Sequence, residues 1–344
     1  MSLTPDQFVN HVLVGDVRQR LGELPDACVD CVITSPPYWA LRDYGHPDQI
    51  GAEPTVNDWV SQITAVCHEL ARVLVPHGAL WLNVGDSYSR HPGEGAPRKS
   101  LLLGPARLAI QLTQAGWLLR SQVVWAKRNA MPSSVTDRLA TTHEFVLFLT
   151  RQRRYFFNLD AIREPARTQT SARRSSRDHY PPREAAPTLG GGQSSRIDLN
   201  QGLSALKAAG LSSHPLGKNP GDVWRIATAN YPAAHFASFP SELVRRPLLA
   251  TCPQRVCTEC RTPWRRATQM IDGRKLATGP LRSSCSHSGW RPGRVLDPFM
   301  GAGTVALAAE QYKRDWVGIE LNPDYAALAD ERLAAWRAAQ SKPA

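Results

Sequence analysis

The sequence predicts an α/β protein built on a mostly parallel, doubly wound sheet. Two observations lead there. Short apolar runs alternate with helix-periodic segments through the first 150 residues, and the same alternation returns in the last fifty. Several of the apolar runs stop at glycine, proline or an acid, and the carboxyl ends of strands are where open α/β sheets bind ligands.

In order, Val12-Leu13-Val14 is a short strand ending in Gly15-Asp16. Val29–Thr34 is a second, stopped by Pro36-Pro37, because proline cannot supply the N–H of a sheet ladder. Trp59, Ile63, Val66, Leu70 and Val73 recur at spacings of three and four, one face of an amphipathic helix from Val56 to Leu74. Pro76 and Gly78 end it, and Ala79–Val84 is the next strand. A helix over Pro105–Ala115 carries proline inside its start and Gly116 past its end. Strands at Leu118–Ala126 and Glu144–Thr150 follow. Near the carboxyl end, Val295-Leu296 runs into Asp297-Pro298-Phe299-Met300-Gly301-Ala302-Gly303-Thr304, then a helix from Thr304 to Gln311, a strand from Trp316 to Glu320, and a long helix from Asp324.

The 344 residues carry 41 Lys+Arg against 30 Asp+Glu, a formal net charge of +11. That excess points to a polyanionic partner, most simply nucleic acid. An apolar fraction of 42 % is enough for a core. No apolar run approaches the ~20 residues that span a bilayer, so no membrane partner is expected. The start, MSLTPDQF, lacks the basic-then-apolar pattern of a secretory signal. Seven unevenly spread cysteines argue against a disulfide scaffold and for a reducing cytoplasm.

Composition changes after Thr150. Arginine dominates the charge up to Arg196, and serine, proline and glycine fill much of the rest. Such a segment cannot bury enough apolar surface to fold alone. It reads either as a solvated linker or as a basic arm that orders on nucleic acid, and the arginine excess favours the arm. Three parts are therefore expected: an α/β part over 1–155, a basic, partly flexible insertion over 156–217, and a second α/β part over 218–344 that holds a Cys-rich insertion at 252–290.

Two motifs carry chemistry. The glycine-rich turn at 301–304 between strand and helix lets a ligand approach the backbone closely. Glu320 ends the next strand about twenty residues on, where such folds set an acid against ribose hydroxyls. The third glycine of the phosphate-cradling pattern is missing, which favours an adenosine ligand without a pyrophosphate and disfavours a nucleotide-dependent oxidoreductase. The second motif is Thr34-Ser35-Pro36-Pro37-Tyr38-Trp39. Its prolines stiffen a loop that holds a hydroxyl (Ser35), a carbonyl (Pro36) and an aromatic face (Tyr38). Those groups suit a planar ring with an exocyclic amine.

TSPPYW with DPFMGAGT far downstream resembles the DNA amino-methyltransferases, which use S-adenosyl-L-methionine to methylate N4 of cytosine or N6 of adenine. The order of the two motifs is similar to the permuted β class. The resemblance implies a Rossmann-like methyltransferase fold and a target base flipped out of double-stranded DNA. It implies catalytic roles for Ser35, Pro36, Pro37 and Tyr38. Cofactor contacts are implied at Asp16, Thr34, His235, Phe236, Phe239, Pro240, Asp297, Pro298, Phe299, Gly301, Gly303, Thr304, Glu320 and Asn322. DNA contacts are implied at Trp39, Trp125 and Lys127, and at Arg173, Arg174 and Arg177 of the basic arm. Serine before Pro-Pro-Tyr leans toward cytosine; the alternatives are N6-adenine, an RNA base, and a non-catalytic nucleic-acid binder. A cognate restriction endonuclease is an expected partner, and both a monomer and a homodimer are compatible with the sequence.

Cys257-Thr258-Glu259-Cys260, with Cys285 and His287 further on, could close a tetrahedral structural zinc site. The alternative is a set of unpaired cysteines on a surface insertion. Cys28 and Cys31 sit in or beside an apolar strand and are expected to be packing residues.

Overall fold

Every residue from Val29 to Thr34 is buried, as a strand covered on both faces requires. From Cys31 on, its side chains alternate between two cores, Cys31 and Ile33 in one and Val32 in the other, while Val29, across the register shift before Cys31, packs on the Val32 side. The same alternation places Leu80 and Leu82 opposite Ala79 and Trp81, and Leu147 and Leu149 opposite Val146 and Phe148. The period of two thus sets the layers.

The computed structural model describes residues 2–41, 46, 48–165, 214–229, 239–271 and 274–341. In chain order its elements are α1 (Pro5–Phe8), β1 (Val12–Val14), α2 (Val17–Glu23), β2 (Val29–Thr34), α3 (Val56–Val73), β3 (Leu74–Val84), α4 (Gly104–Gln114), β4 (Leu118–Lys127) and β5 (His143–Thr150). Then come β6 (Val223–Ile226), α5 (Ser241–Thr251), β7 (Val256–Cys257), β8 (Arg265–Arg266), β9 (Gln269–Ile271), β10 (Arg274–Leu276), β11 (Leu281–Arg282) and β12 (Trp290–Arg291). The last four are β13 (Arg294–Asp297), α6 (Thr304–Gln311), β14 (Asp315–Glu320) and α7 (Pro323–Gln340).

Eight strands form one sheet in the order β1-β14-β13-β2-β3-β5-β4-β6. Only β5 runs against its neighbours; every other pair is parallel. Side chains of α2, α3 and α4 fill one core and those of α5, α6 and α7 the other, giving the mostly parallel, helix-covered sheet expected of a Rossmann-like fold. Residues up to Ala161 and from Gly221 onward make one compact unit, and Ile162–Pro220 make a second. In the second, Glu164 and Lys218 pair across an antiparallel bridge.

Helix α3 begins in a capping box between Thr55 and Asp58 and buries Trp59, Ile63, Val66, Leu70 and Val73. Its end differs from expectation: β3 starts at once at Leu74, and Pro76 and Gly78 lie inside the strand. The β2–β3 register shifts there, so the missing proline N–H is not needed for the ladder. A side chain at Gly78 would lie 2.8 Å from the Asp30 carbonyl oxygen, which explains the glycine. Cys28 and Cys31 are buried packing residues. No described helix is long and apolar enough to cross a membrane.

Candidate active site

Parallel strands bring their carboxyl ends to one edge, and the chain's unusual residues collect there. β1 ends at Gly15-Asp16, β2 at Ser35-Pro36-Pro37-Tyr38, β13 at Pro298-Phe299, β14 at Glu320 and β4 at Lys127. Because β5 runs the other way, its first residues, His143 and Glu144, reach the same edge. Between these ends lies a cavity of about 350 Å³.

The loop after β2 is fastened from below. The indole N–H of Trp59 on α3 donates to the Pro37 carbonyl at 2.9 Å. Trp39 is buried, with its own indole N–H donated to the Glu53 carbonyl. The Tyr38 ring packs on Gly85 so closely that a Cβ there would sit 2.7 Å from it.

Around Tyr38 the polar groups form one network. The Tyr38 hydroxyl donates to Glu144 at 2.6 Å. Asn83 Nδ2 donates to the Tyr38 hydroxyl at 2.7 Å and to Glu144 at 2.8 Å. Ser35 Oγ lies 3.2 Å from the Tyr38 hydroxyl and 3.3 Å from the Asn83 carbonyl oxygen. Lys127 Nζ, 2.5 Å from the other Glu144 oxygen, balances the carboxylate. The same ammonium lies 5.2 Å from the centre of the Trp125 ring. This end of the cavity therefore offers fixed polar atoms on one side and aromatic surface on the other.

The opposite end is built by the glycine-rich turn. Gly301 has φ +51 and Gly303 φ +77, both left-handed. A side chain at Gly303 would press on Ala329 of α7 at 3.0 Å, whereas nothing lies within 4 Å of one at Gly301. Gly301 thus leaves its backbone open to the cavity. Its N–H donates to Glu320 at 2.7 Å, and the Asn322 N–H donates to the other Glu320 oxygen at 2.9 Å. Burial raises the Glu320 carboxyl pKa, and those amides oppose the rise.

Beneath the turn, Asp297 accepts from the Thr34 hydroxyl at 2.6 Å and from the Phe299 N–H at 3.1 Å. Its second oxygen is buried with no hydrogen-bond partner among the described residues. Burial pushes this carboxyl up to about 7. Asp16 differs: it caps α2 by accepting from the Arg18 N–H, and the Arg18 guanidinium holds its carboxyl below the ordinary value.

Of the residues singled out from the sequence, Asp16, Ser35, Pro36, Pro37, Tyr38, Trp125, Lys127, Phe239, Pro298, Phe299, Gly301, Thr304, Glu320 and Asn322 line the cavity. Thr34 and Asp297 lie buried just below it, Gly303 caps α6 and Pro240 caps α5. Trp39, expected against DNA, is instead in the core, because its indole is spent on anchoring the loop. His235, Phe236, Arg173, Arg174 and Arg177 lie outside the described residues. Asn83 joins the lining without having been singled out. Its signal was available, as the lone amide in the apolar run ALWLNV. Glu144 was noticed only as part of a segment, since its partners come from distant strands.

Comparison with known proteins agrees with this construction. The model of a DNA methylase family, N6_N4_Mtase, matches residues 29–331. The type II methyltransferase M.XycI of Xanthomonas campestris pv. cyanopsidis is 34 % identical over 341 residues, covering 93 % of this chain and 86 % of the relative. Among solved structures, the cytosine-N4-specific PvuII DNA methyltransferase superposes with a TM-score of 0.51 at 18 % identity, over 95 % of this chain and 85 % of that one. A DNA modification methylase structure from Thermus thermophilus, complexed with S-adenosyl-L-methionine, gives 0.51 at 22 % identity, over 95 % and 93 %. The chain belongs to the N6/N4 DNA methylase family. It is a type II DNA methyltransferase of that family.

Proposed function

We propose that this chain transfers a methyl group from S-adenosyl-L-methionine to the exocyclic N4 amine of a cytosine flipped out of double-stranded DNA. The observation that carries the reading is Ser35, set before two prolines beside Tyr38 and Asn83, at one end of a cavity whose other end is the Gly301–Glu320 pair.

The cofactor end fits an adenosine ligand. The space over Gly301 is open, and each Glu320 oxygen is oriented by a backbone amide and keeps lone pairs for ribose hydroxyls. When bound, S-adenosyl-L-methionine supplies a methyl group on a positively charged sulfur. The chain's own part is positioning. Ser35 Oγ and the Pro36 carbonyl accept the two amine hydrogens of the base, which turns the nitrogen lone pair toward the cofactor end. Tyr38 covers the ring face, and the Asn83–Glu144–Lys127 network keeps the tyrosine from swinging away. Taking the base out of the duplex exposes an amine that stacking otherwise hides.

In this reading residues 1–155 supply the catalytic loop and 218–344 the cofactor loop. The basic insertion over 156–217, with Arg173, Arg174 and Arg177, reads the DNA sequence, since arginine can pair bidentately with guanine and also contact phosphates. A restriction endonuclease reading the same site is the companion expected of a type II methyltransferase. N6-adenine methylation uses the same geometry and is the second reading.

The test is transfer of labelled methyl from the cofactor to unmethylated duplex DNA and, separately, to RNA. Label on the duplex that vanishes in Tyr38→Ala supports the reading. Label on RNA alone contradicts it.

A further inference from the structure

The insertion between α5 and β13 has too little apolar material to fix its own shape. Its strands pair only two by two, β7 with β12, β8 with β11 and β9 with β10. Isolated ribbons of this kind are marginal in water, and a segment this small ordinarily needs a metal or a disulfide. Its buried side chains include Val256, Pro263 and Leu276, which are too few to act as a core.

At one end, three thiols and an imidazole converge. Ligand atoms of Cys257, Cys260, Cys285 and His287 all lie within 4.8 Å of one another. Cys257 Sγ is 3.5 Å from His287 Nδ1. The Cys257-to-Cys260 turn is closed by backbone: the Arg261 N–H donates to the Cys257 carbonyl, and Arg261 takes the left-handed φ of +60. The second pair arrives because Cys257 stands opposite Trp290 in the β7–β12 ladder. A further contact sets the imidazole. Its Nε2 lies 3.6 Å from the Glu259 carboxylate while Nδ1 faces sulfur. A carboxylate on the far ring nitrogen is what orients a metal-bound histidine.

We propose that Cys257, Cys260, Cys285 and His287 bind one zinc ion in a closed, tetrahedral structural site. Three soft thiolates and an imidazole select a borderline-soft ion without geometric preference of its own. Zinc–sulfur bonds of about 2.3 Å put tetrahedral sulfurs roughly 3.8 Å apart. No pair of these ligand atoms exceeds 4.8 Å and Cys257 Sγ is already 3.5 Å from His287 Nδ1, so closing on the metal needs only a small contraction. Each thiol releases its proton to solvent as its sulfur–zinc bond forms. With all four positions taken by protein, no place is left for water or substrate, so the metal holds structure. What it holds is specific. It ties β7 to β12, and Arg291 of β12 donates to the buried Asp30 of β2 at 2.6 Å. Asp30 also accepts from the Arg294 N–H at the start of β13, the strand that leads into the glycine-rich turn.

The proposal does not depend on methyl transfer, and its test uses the full chain. Elemental analysis after dialysis against metal-free buffer is expected to give about one zinc per chain, falling at least about ten-fold in Cys260→Ser and in His287→Ala. Cobalt exchanged into the unmutated chain is expected to show the visible bands of a tetrahedral thiolate site, a readout independent of how the variants fold. Chelation is expected to make Cys257, Cys260 and Cys285 reactive to a thiol reagent and to lower the melting temperature. Zinc absent from the unmutated chain, zinc retained in both variants, or a disulfide among these cysteines in the purified protein would overturn the proposal.

Discussion

Tyr38 and Glu144 lie 106 positions apart in sequence, yet the tyrosine hydroxyl donates a 2.6 Å hydrogen bond to the carboxylate. The contact exists because β5 runs against β3 and β4, which carries its first residues to the edge where the parallel strands end. It fixes the aromatic ring of a loop whose backbone the Trp59 and Trp39 indoles already fasten.

Tyr38→Ala is expected to reduce methyl transfer by about 100-fold or more while cofactor affinity stays within about three-fold. Tyr38→Phe keeps the ring and loses only the hydroxyl, so its loss should stay within about ten-fold. Steady-state rates with equilibrium binding of labelled cofactor separate the two effects. Loss of cofactor affinity in Tyr38→Ala would assign the ring to the wrong end of the cavity.

Lys127 balances a carboxylate whose side chain is only 13 % exposed. Lys127→Ala leaves Glu144 without its cation and should cost about 1–3 kcal/mol, whereas removing both partners in Lys127→Ala/Glu144→Gln should recover much of it. Urea unfolding of the single and double variants measures the coupling. Strictly additive effects would mean the pair acts independently.

Gly301→Val places a branched side chain in the open space at φ +51, where it is strained and occupies the cofactor's approach. Cofactor affinity should fall by at least about ten-fold, with non-specific DNA binding unchanged. An unchanged dissociation constant for the cofactor would remove the turn from the binding site.

Asp297 gives a pH dependence of known sign. Its carboxyl titrates at about 7 in the folded protein and near 3.9 in an unfolded chain. Between those values the folded form holds a proton that the unfolded form has lost, so stability falls as pH rises from about 4 to about 7 and then levels off. Asp297→Asn keeps the acceptor for Thr34 and removes the titration. Its melting temperature relative to the parent should therefore rise between about pH 5 and about pH 8. A difference that is the same at both pH values would contradict the buried, raised carboxyl.

The two loops were legible in the sequence because their chemistry is contiguous. Ser35 through Tyr38 and Asp297 through Thr304 each bring their groups to the cavity within a few residues, and the place of Glu320 followed from spacing alone. Asn83, Glu144 and Lys127 form their network only through the β3–β5–β4 register, which no local pattern encodes. Trp39 misled for a related reason. An aromatic beside a catalytic loop suggests a base or DNA contact, yet its environment is set by Glu53, fourteen positions on. Pro76 and Gly78 marked a real irregularity, but it proved to be a shift of register inside β3 and not a break before it. The edge strand β6 was missed because four residues with alternate burial carry too little periodicity to stand out.

The most direct measurement is mass spectrometry of nucleosides from unmethylated duplex DNA incubated with the protein and methyl-labelled S-adenosyl-L-methionine. The account predicts label on N4-methylcytosine. Label on N6-methyladenine would keep the cavity and its two ends but contradict the assignment of Ser35 to cytosine.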